Sequence, residues 1–144
     1  MNINIEKMNI KHLDTLRDIL LEDFDDFWDY NILESELKSP ISQYIVALSD
    51  GEIVGFAGLI DTYDQMEITN IVVKKTFRNR GIGSILLDNL ISLSKEKNRI
   101  YLEVNENNIN AIKLYEKKGF KKCGLRKNYY KGTENAILME LEIK

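Results

Sequence analysis

The sequence predicts a mixed α/β fold in a single domain. Segments in which apolar and polar residues alternate, as in a half-buried strand, take turns with segments whose apolar residues recur at helical spacing. The predicted order is β-α-α-β-β-β-α-β-α-β-β. A length of 144 residues is typical of one domain, here 1–144, and a content of 44% hydrophobic and 30% charged residues is typical of a globular protein.

The first half of the chain carries four of the predicted strands and two of the helices. Asp50-Gly51 stands between two apolar runs and predicts a hairpin, because glycine tolerates a positive φ. Pro40 ends the second helix, since proline cannot continue the helical hydrogen bonds. The strands are INIEKM, QYIVALS, EIVGFAGLI and MEITNIVV; the helices are KHLDTLRDILLED and a segment after Asp29.

The second half is predicted to contain two further helices and three strands. One helix starts at Ile82, and the other starts at Asn108 and ends at Gly119, which suits a left-handed C-terminal cap. The apolar face of the helix that starts at Ile82 carries Ile82, Ile85, Leu86, Leu90 and Leu93. The strands are RIYLEV, FKKCGLRK and AILMELEI, the last two around a loop NYYKGTEN.

Composition and charge disfavour several classes of function. A net charge of −3 and a pI of about 5.3 argue against nucleic-acid binding, which depends on basic surface. One cysteine excludes an internal disulfide, and with one histidine it disfavours a zinc site, so no metal is expected. The sequence shows no secretory leader and no apolar stretch of the ~18 residues that a membrane span needs, so a cytoplasmic protein is expected.

Charge is distributed unevenly between the two halves of the chain. Residues 1–73 contain 15 acidic and 4 basic side chains, whereas residues 74–144 contain 8 acidic and 16 basic ones. An anionic ligand is therefore favoured by the second half and a cationic ligand by the first.

A basic loop with two glycines predicts a phosphate site. In VVKKTFRNRGIGSILL, the start of the helix offers unpaired N–H groups and a dipole that favours an anion. Gly81 and Gly83 allow a phosphate to come close to the backbone, and Arg78 and Arg80 add positive charge. The pattern is neither a Walker loop nor a dinucleotide fingerprint. The alternative is a glycine turn that merely starts a helix.

Two motifs make the chain resemble the GNAT acetyltransferases. Residues 78–83, RNRGIG, match R/Q-x-x-G-x-G/A, and NNINAIKLYEKKGF matches N-x-x-A-x-x-L-Y-x-x-x-G-F from Asn108 onward. Within that superfamily, ITNIVV, YLEVN, RKNYY and ENAILMEL are most similar to the bacterial RimI-type ribosomal-protein alanine N-acetyltransferases. Residues 26–29, DFWD, resemble the substrate-side segment of that subfamily, with Phe27 where a proline is usual.

The resemblance implies a GNAT fold, with a mixed, mostly antiparallel central sheet of six to seven strands and helices on both faces. MEITNIVV and RIYLEV would run parallel and splay apart to bind the cosubstrate, acetyl-CoA. The pantetheine arm would bond to the backbone of the first of these strands, and the pyrophosphate would lie on amides of the basic loop. The residues so implied in cofactor binding are Ile71, Val72, Val73, Arg78, Arg80, Gly81, Ile82, Gly83, Ser84 and Asn108.

The resemblance also implies an acid–base pair, Glu103 as general base and Tyr115 as general acid. Acetyl transfer from a thioester requires a neutral amine, and an α-amino group with a pKa of ~8 is mostly protonated at neutral pH. The departing thiolate leaves more readily if a phenol donates a proton to it. Glu67, on the neighbouring strand, is the rival base. The structural alternatives are a surface glutamate and a core tyrosine.

The implied acceptor is the N-terminal α-amine of a protein, an alanine-starting ribosomal protein of the small subunit. Trp28, Tyr129 and Tyr130 would contact the peptide, although packing between two strands explains the tyrosines equally well. A cluster of acidic residues could attract a basic peptide tail. The cluster consists of Glu22, Asp23, Asp25, Asp26 and Asp29.

Two other functions are compatible with the motifs. One is acetylation of a lysine side chain or a small amine. The other is a binding module for acetyl-CoA without catalysis, which the presence of both Glu103 and Tyr115 disfavours. Neither direct nucleic-acid binding nor membrane binding is expected.

Overall fold

The computed structural model describes residues 1–24, 30–130 and 132–143, with the backbone alone for Leu21 and Glu22. Over these residues the elements follow the predicted order, with one added 3₁₀ turn at Lys75–Phe77. The elements are β1 (Ile3–Lys7), α1 (Ile10–Asp23), α2 (Tyr30–Lys38), β2 (Ser42–Ser49), β3 (Glu52–Asp61), β4 (Gln65–Val73), α3 (Ile82–Leu93), β5 (Arg99–Asn105), α4 (Ile109–Lys117), β6 (Lys121–Tyr130) and β7 (Glu134–Glu142).

The described strands form one sheet in the order β1-β2-β3-β4-β5-β7-β6. β4 and β5 pair in parallel from Gln65↔Arg99 to Ile68↔Leu102, and the pairs β1–β2, β2–β3, β5–β7 and β6–β7 are antiparallel. The predicted mixed, mostly antiparallel sheet with a parallel pair is thus confirmed. None of the described helices combines the length and the apolar character that crossing a membrane requires.

The chain packs into two compact units, which are described separately. The first consists of Met1–Ile60 and Thr69–Leu93, and the second of Asp61–Ile68 and Ser94–Lys144. β4 contributes its last five residues to the first unit and its first four to the second.

The first unit has its own apolar core between α1, α2 and the strands β2 and β3. The rings of Phe24 and Phe56 meet at 5.5 Å between centroids. Asn9 caps α1, since its Oδ1 accepts the N–H groups of Lys11 and His12. The side chains of this core are those of Met8, Leu13, Leu16, Leu20, Phe24, Leu33, Tyr44, Val46, Leu48, Ile53 and Phe56.

Two predictions about the first unit can be compared with the structure. The hairpin is confirmed, since Asp50 and Gly51 both have a positive φ, 50° and 82°, as a type I′ turn requires. The predicted apolar face of α3 agrees with the structure except at the C-terminal end of the helix. Leu93, in the last turn, is 45% exposed, whereas Leu87 is fully buried and widens the face.

The second unit is built on β5, whose residues alternate between two faces. Ile100, Leu102 and Val104 are buried, and Tyr101 and Glu103 face the other side half-buried. The helix α4 starts at its cap, Asn108, and stops before Gly119, which has a φ of 99°.

The predicted loop NYYKGTEN is too long at its start. β6 continues through Tyr129 to Tyr130, so both tyrosines lie on a strand and not in a loop. Asn128 has a φ of 53°, and the register of β6 against β7 shifts between Arg126 and Tyr130. This irregularity lets the strand continue past a residue that would otherwise end it.

Candidate active site

The basic loop after β4 leaves room for a ligand at Gly81. Gly81 has a φ of 83°, and a Cβ built there would meet no atom within 4 Å. The N–H of Ile85 donates to the Gly81 carbonyl at 3.1 Å, so the helical ladder of α3 begins here. The earlier N–H groups of the helix have no intrahelical acceptor, so they can bind an anion. An open, backbone-lined helix start of this kind fits a pyrophosphate.

The two loop arginines differ in their contacts. Arg78 Nε donates to the Val73 carbonyl at 3.1 Å, which ties the loop to the end of β4. Arg80 is exposed, and its guanidinium carbon lies 4.9 Å from the centroid of the Phe77 ring. In the first unit, therefore, the structure brings the loop together with the predicted strand segment Ile71–Val73.

Asn108, which belongs to the second unit, has a structural role of its own. Its Oδ1 accepts the N–H of Ala111 at 3.3 Å and caps α4. The side chain is thus oriented by the helix that it starts, with its amide group on an exposed residue.

Two side chains contact the same carboxylate oxygen of Glu103, one in an ion pair and one in a hydrogen bond. Arg126 Nη2 lies 2.6 Å from Glu103 Oε1, and Tyr101 Oη donates to Oε1 at 3.1 Å. The Glu103 side chain is 15% exposed, and Leu138 of β7 is its register partner. The short ion pair and the hydrogen bond from Tyr101 together give the carboxylate a defined orientation.

Glu67, the rival base, is in the same electrostatic environment. Burial raises its pKa, the negative charge of Glu103 raises it further, and the positive charge of Arg126 opposes both effects. The register of the parallel pair explains this proximity, because Glu67 pairs with Tyr101, two residues from Glu103 on the same strand face. Burial and the bond to Glu103 raise the pKa of Tyr101 to about 12.

Tyr115 is buried on α4, with 9% of its surface exposed. Its ring lies 5.8 Å from that of Phe120, and burial, together with the neighbouring Tyr130, raises its pKa to about 12. The phenol therefore stays protonated at every physiological pH and is available as a donor, though as a weaker acid than a free tyrosine.

The predicted peptide-contacting residues are described only in part. Tyr129 and Tyr130 form a T-shaped pair with centroids 5.0 Å apart, and Arg126 stacks on Tyr129, its guanidinium carbon 5.0 Å from the ring centroid. Trp28 lies outside the described residues, and so do three members of the acidic cluster, 25, 26 and 29. Of the other two members, Glu22 is described by its backbone alone, and Asp23 is paired with Lys74 Nζ at 3.5 Å.

Tyr101 and Arg126 were not predicted. Tyr101 could have been found from the sequence, because it stands two residues before Glu103 and a strand turns both to one face. Arg126 could not have been found from the sequence, since it contacts Glu103 across β7, the strand between β5 and β6.

The first unit contains a second polar cluster, centred on Tyr44. Asn70 Nδ2 donates to Tyr44 Oη at 3.0 Å, and Thr69 Oγ1 lies 3.3 Å from the same oxygen. Glu36 also bonds to Tyr44, and burial raises the pKa of its carboxyl. Glu36 Oε2 and Asn70 Oδ1 are buried without a hydrogen-bond partner among the described residues.

Comparisons with known proteins agree with this description. The profile of the Acetyltransferase (GNAT) family matches residues 13–120. A Bacillus subtilis protein, provisionally named ribosomal protein bS18-alanine N-acetyltransferase, is 33% identical over 143 residues, 96% of this chain and 95% of that protein.

Solved structures are similar over the whole chain. The ribosomal-protein-S18-alanine N-acetyltransferase of Escherichia coli superposes with a TM-score of 0.89 at 28% identity, covering 99% of this chain and 95% of that one. A GNAT family acetyltransferase from Elizabethkingia anophelis, with acetyl-CoA bound, superposes with a TM-score of 0.80 at 25% identity, covering 98% of each chain.

Proposed function

We propose that this chain, which belongs to the GNAT acetyltransferase family, acetylates the N-terminal α-amine of an alanine-starting ribosomal protein. The enzyme is an N-acetyltransferase that uses acetyl-CoA. The observation that carries the proposal is the likeness to a protein named for acetylating the alanine of bS18, 33% identical over 96% of this chain. Since the match spans almost the whole chain, we infer that residues 1–144 form one acetyltransferase domain. Because ribosomal proteins are made in the cytoplasm, we infer that the enzyme works there.

Acetyl-CoA supplies the acetyl group as an activated thioester. The residues that would hold it are the loop amides from Arg80 to Ser84, the backbone of Ile71–Val73 and the Asn108 side chain. The open space at Gly81 and the start of α3 support this assignment, because a phosphate needs both close backbone approach and unpaired N–H groups. Arg80 is exposed beside them and would add charge.

Glu103 is proposed to take the proton of the acceptor ammonium, directly or through water. The neutral nitrogen then attacks the thioester carbonyl carbon, the C–S bond breaks, and Tyr115 donates its phenolic proton to the departing sulfur. The acylated nitrogen releases its remaining extra proton to solvent, and the Tyr115 phenolate takes up a proton from solvent, so the products are the neutral amide and the free thiol. The negative charge and fixed orientation of Glu103 support the first role. Protonation of Tyr115 at neutral pH supports the second role, since its pKa of about 12 leaves the phenol with a proton to donate to the sulfur.

The acceptor peptide is proposed to contact Tyr129, Tyr130 and Trp28. The positions of the two tyrosines support their share of this contact, since Tyr129 is 48% exposed and both lie on the strand that carries Arg126. Aromatic side chains of this kind supply contact area at low cost in conformational entropy.

The decisive experiment is acetyl transfer to synthetic hexapeptides. One peptide starts with alanine, others start with serine, methionine or glycine, and one has a blocked N-terminus and an internal lysine. We expect the highest kcat/KM for the alanine peptide and modification of its α-amine by mass spectrometry. Preferential acetylation of the internal lysine would replace the proposed acceptor with a side-chain amine.

A further inference from the structure

We propose that Arg126 is a positioning residue: with Tyr101 it clamps Oε1 of Glu103, so that Oε2 is the oxygen presented to the acceptor amine. The inference deepens the proposed function and rests on Glu103 acting as its base. It concerns an interaction that no local sequence pattern reveals, because β6 and β5 are not neighbours in the sheet.

The geometry of the two donors carries the inference. Both the 2.6 Å contact of Arg126 and the 3.1 Å hydrogen bond of Tyr101 reach Oε1, from two different strands. A carboxylate held at one oxygen by donors from two directions cannot rotate freely about its last torsion, and its second oxygen therefore has a fixed position. Proton transfer depends on such positioning, since a base must lie within hydrogen-bonding distance of the proton it accepts.

The charges around Glu103 make the arginine necessary. β4 contributes the carboxylate of Glu67, β5 the phenol of Tyr101, and β6 the cation of Arg126 and the phenol of Tyr130. β7 presents an apolar register partner, Leu138. Two carboxylates in partly desolvated surroundings repel each other, and Arg126 offsets that repulsion.

Arg126 also connects the base to the aromatic pair. Its guanidinium group stacks on Tyr129, and Tyr129 packs edge-on against Tyr130. This stacking supports the planar guanidinium group, which lysine cannot reproduce. The side chain of Arg126 is 53% exposed, so a small cation from solvent can reach its place when it is removed.

The test compares Arg126→Ala, Arg126→Lys and a matched control, Lys122→Ala, which removes an exposed cation from the same strand. On the acceptor that the wild type acetylates best, we expect Arg126→Ala to lower kcat by about 10–100-fold, the range that misplacement of a catalytic group produces. Arg126→Lys should recover part of the loss, and Lys122→Ala should stay within about twofold of the wild type, because its charge lies outside this cluster.

Chemical rescue distinguishes positioning from structural support. Guanidinium at concentrations far below denaturing should raise kcat of Arg126→Ala several-fold, whereas potassium at equal ionic strength should not. In a Glu103→Gln background, Arg126→Ala should cause little further loss, since the residue acts through Glu103.

The outcomes separate the two proposals. If the wild type acetylates no acceptor, the proposed function fails and the clamp fails with it. If the wild type is active and Arg126→Ala keeps more than half of its kcat, the clamp alone is overturned. A large loss without guanidinium rescue, or a full further loss in the Glu103→Gln background, also overturns it.

Discussion

Each compact unit holds a tyrosine at the centre of a polar cluster, and the two clusters differ in whether every hydrogen-bond acceptor has a donor. Around Tyr44, which is 1% exposed, acceptors outnumber donors and two oxygens remain buried without a described partner. Around Tyr101 and Glu103, an arginine supplies the missing donor and is itself half-exposed.

The difference shows what separates a structural cluster from a reactive one. A closed cluster without a cation favours the neutral carboxyl, as at Glu36, and joins neighbouring elements. In the open cluster the cation of Arg126 pairs with the carboxylate of Glu103 and offsets its repulsion of Glu67. Variants in the open cluster should therefore change rates, and variants in the closed cluster should change stability.

The largest effect is expected in the open cluster, for Glu103→Gln. Glutamine keeps the size and can still accept from Arg126 through its amide oxygen, but it cannot take a proton. We expect kcat at neutral pH to fall by about 10²–10⁴-fold, with an unchanged melting temperature. The deficit should shrink above pH 8, because the acceptor amine, with a pKa of ~8, then loses its proton unaided.

Glu67→Gln is the control for this prediction. Near-full activity of Glu103→Gln across the pH range, together with a crippled Glu67→Gln, would move the base to β4. The raised pKa of Glu67 makes that comparison worth measuring, since a carboxylate with a higher pKa is a stronger base.

The next largest effect is expected beside the closed cluster, for Gly58→Ala. A Cβ at this position would lie 2.4 Å from Tyr44 Cζ and 2.7 Å from Thr69 Oγ1, so the tyrosine ring or the strand must move. We expect the free energy of unfolding in urea to fall by about 3 kcal/mol, the upper part of the range for overpacked cores. Gly124→Ala is the control, because its Cβ would meet only the Leu138 side chain, at 3.3 Å. Equal losses in both would mean that the ring of Tyr44 gives way easily.

A smaller loss of stability is expected for Tyr44→Phe. The change removes the hydroxyl that Asn70 donates to and leaves that amide buried, at a cost of about 1–2 kcal/mol in unfolding free energy. Steady-state kinetics on the best acceptor should be unchanged below the unfolding transition. A drop in kcat without a drop in stability would contradict the structural role of this cluster.

The smallest effect is a pH dependence at Glu36. Because its folded pKa is raised above the ordinary 4.5, the folded state holds a proton that the unfolded state has lost, so stability falls as pH rises through the window above 4.5. Glu36→Gln removes this titration and keeps the size. The variant should match the wild type in urea unfolding below pH 4.5 and be more stable at neutral pH. A constant difference at all pH values would mean that the carboxyl does not titrate as stated.

The order of elements was predictable because each strand and helix is encoded by its own short-range periodicity. The same holds for the hairpin at Asp50-Gly51, whose conformation depends on two residues. The exposure of Leu93 and the continuation of β6 to Tyr130 were not predictable in this way, since both depend on what another part of the chain covers or pairs with.

The residues of the candidate site likewise differ in whether a local sequence pattern could predict them. The loop at Gly81 and the pair Glu103 and Tyr115 were reached through motifs. Arg126 meets Glu103 across β7, so their contact depends on how β5 and β6 each pair with that strand. Tyr44 packs over Gly58 because of the register of β2 against β3. Contacts of this kind follow from register, which a single sequence does not state.

β6 lies at the end of the described sheet, beside β7, and this position governs how two copies of the protein meet. The outer backbone groups of a terminal strand can pair with a strand of another molecule and begin aggregation. This strand carries four cations, Lys121, Lys122, Arg126 and Lys127. Two copies that approached edge to edge would bring like charges together, so the strand that orients the proposed base also disfavours self-association along this edge.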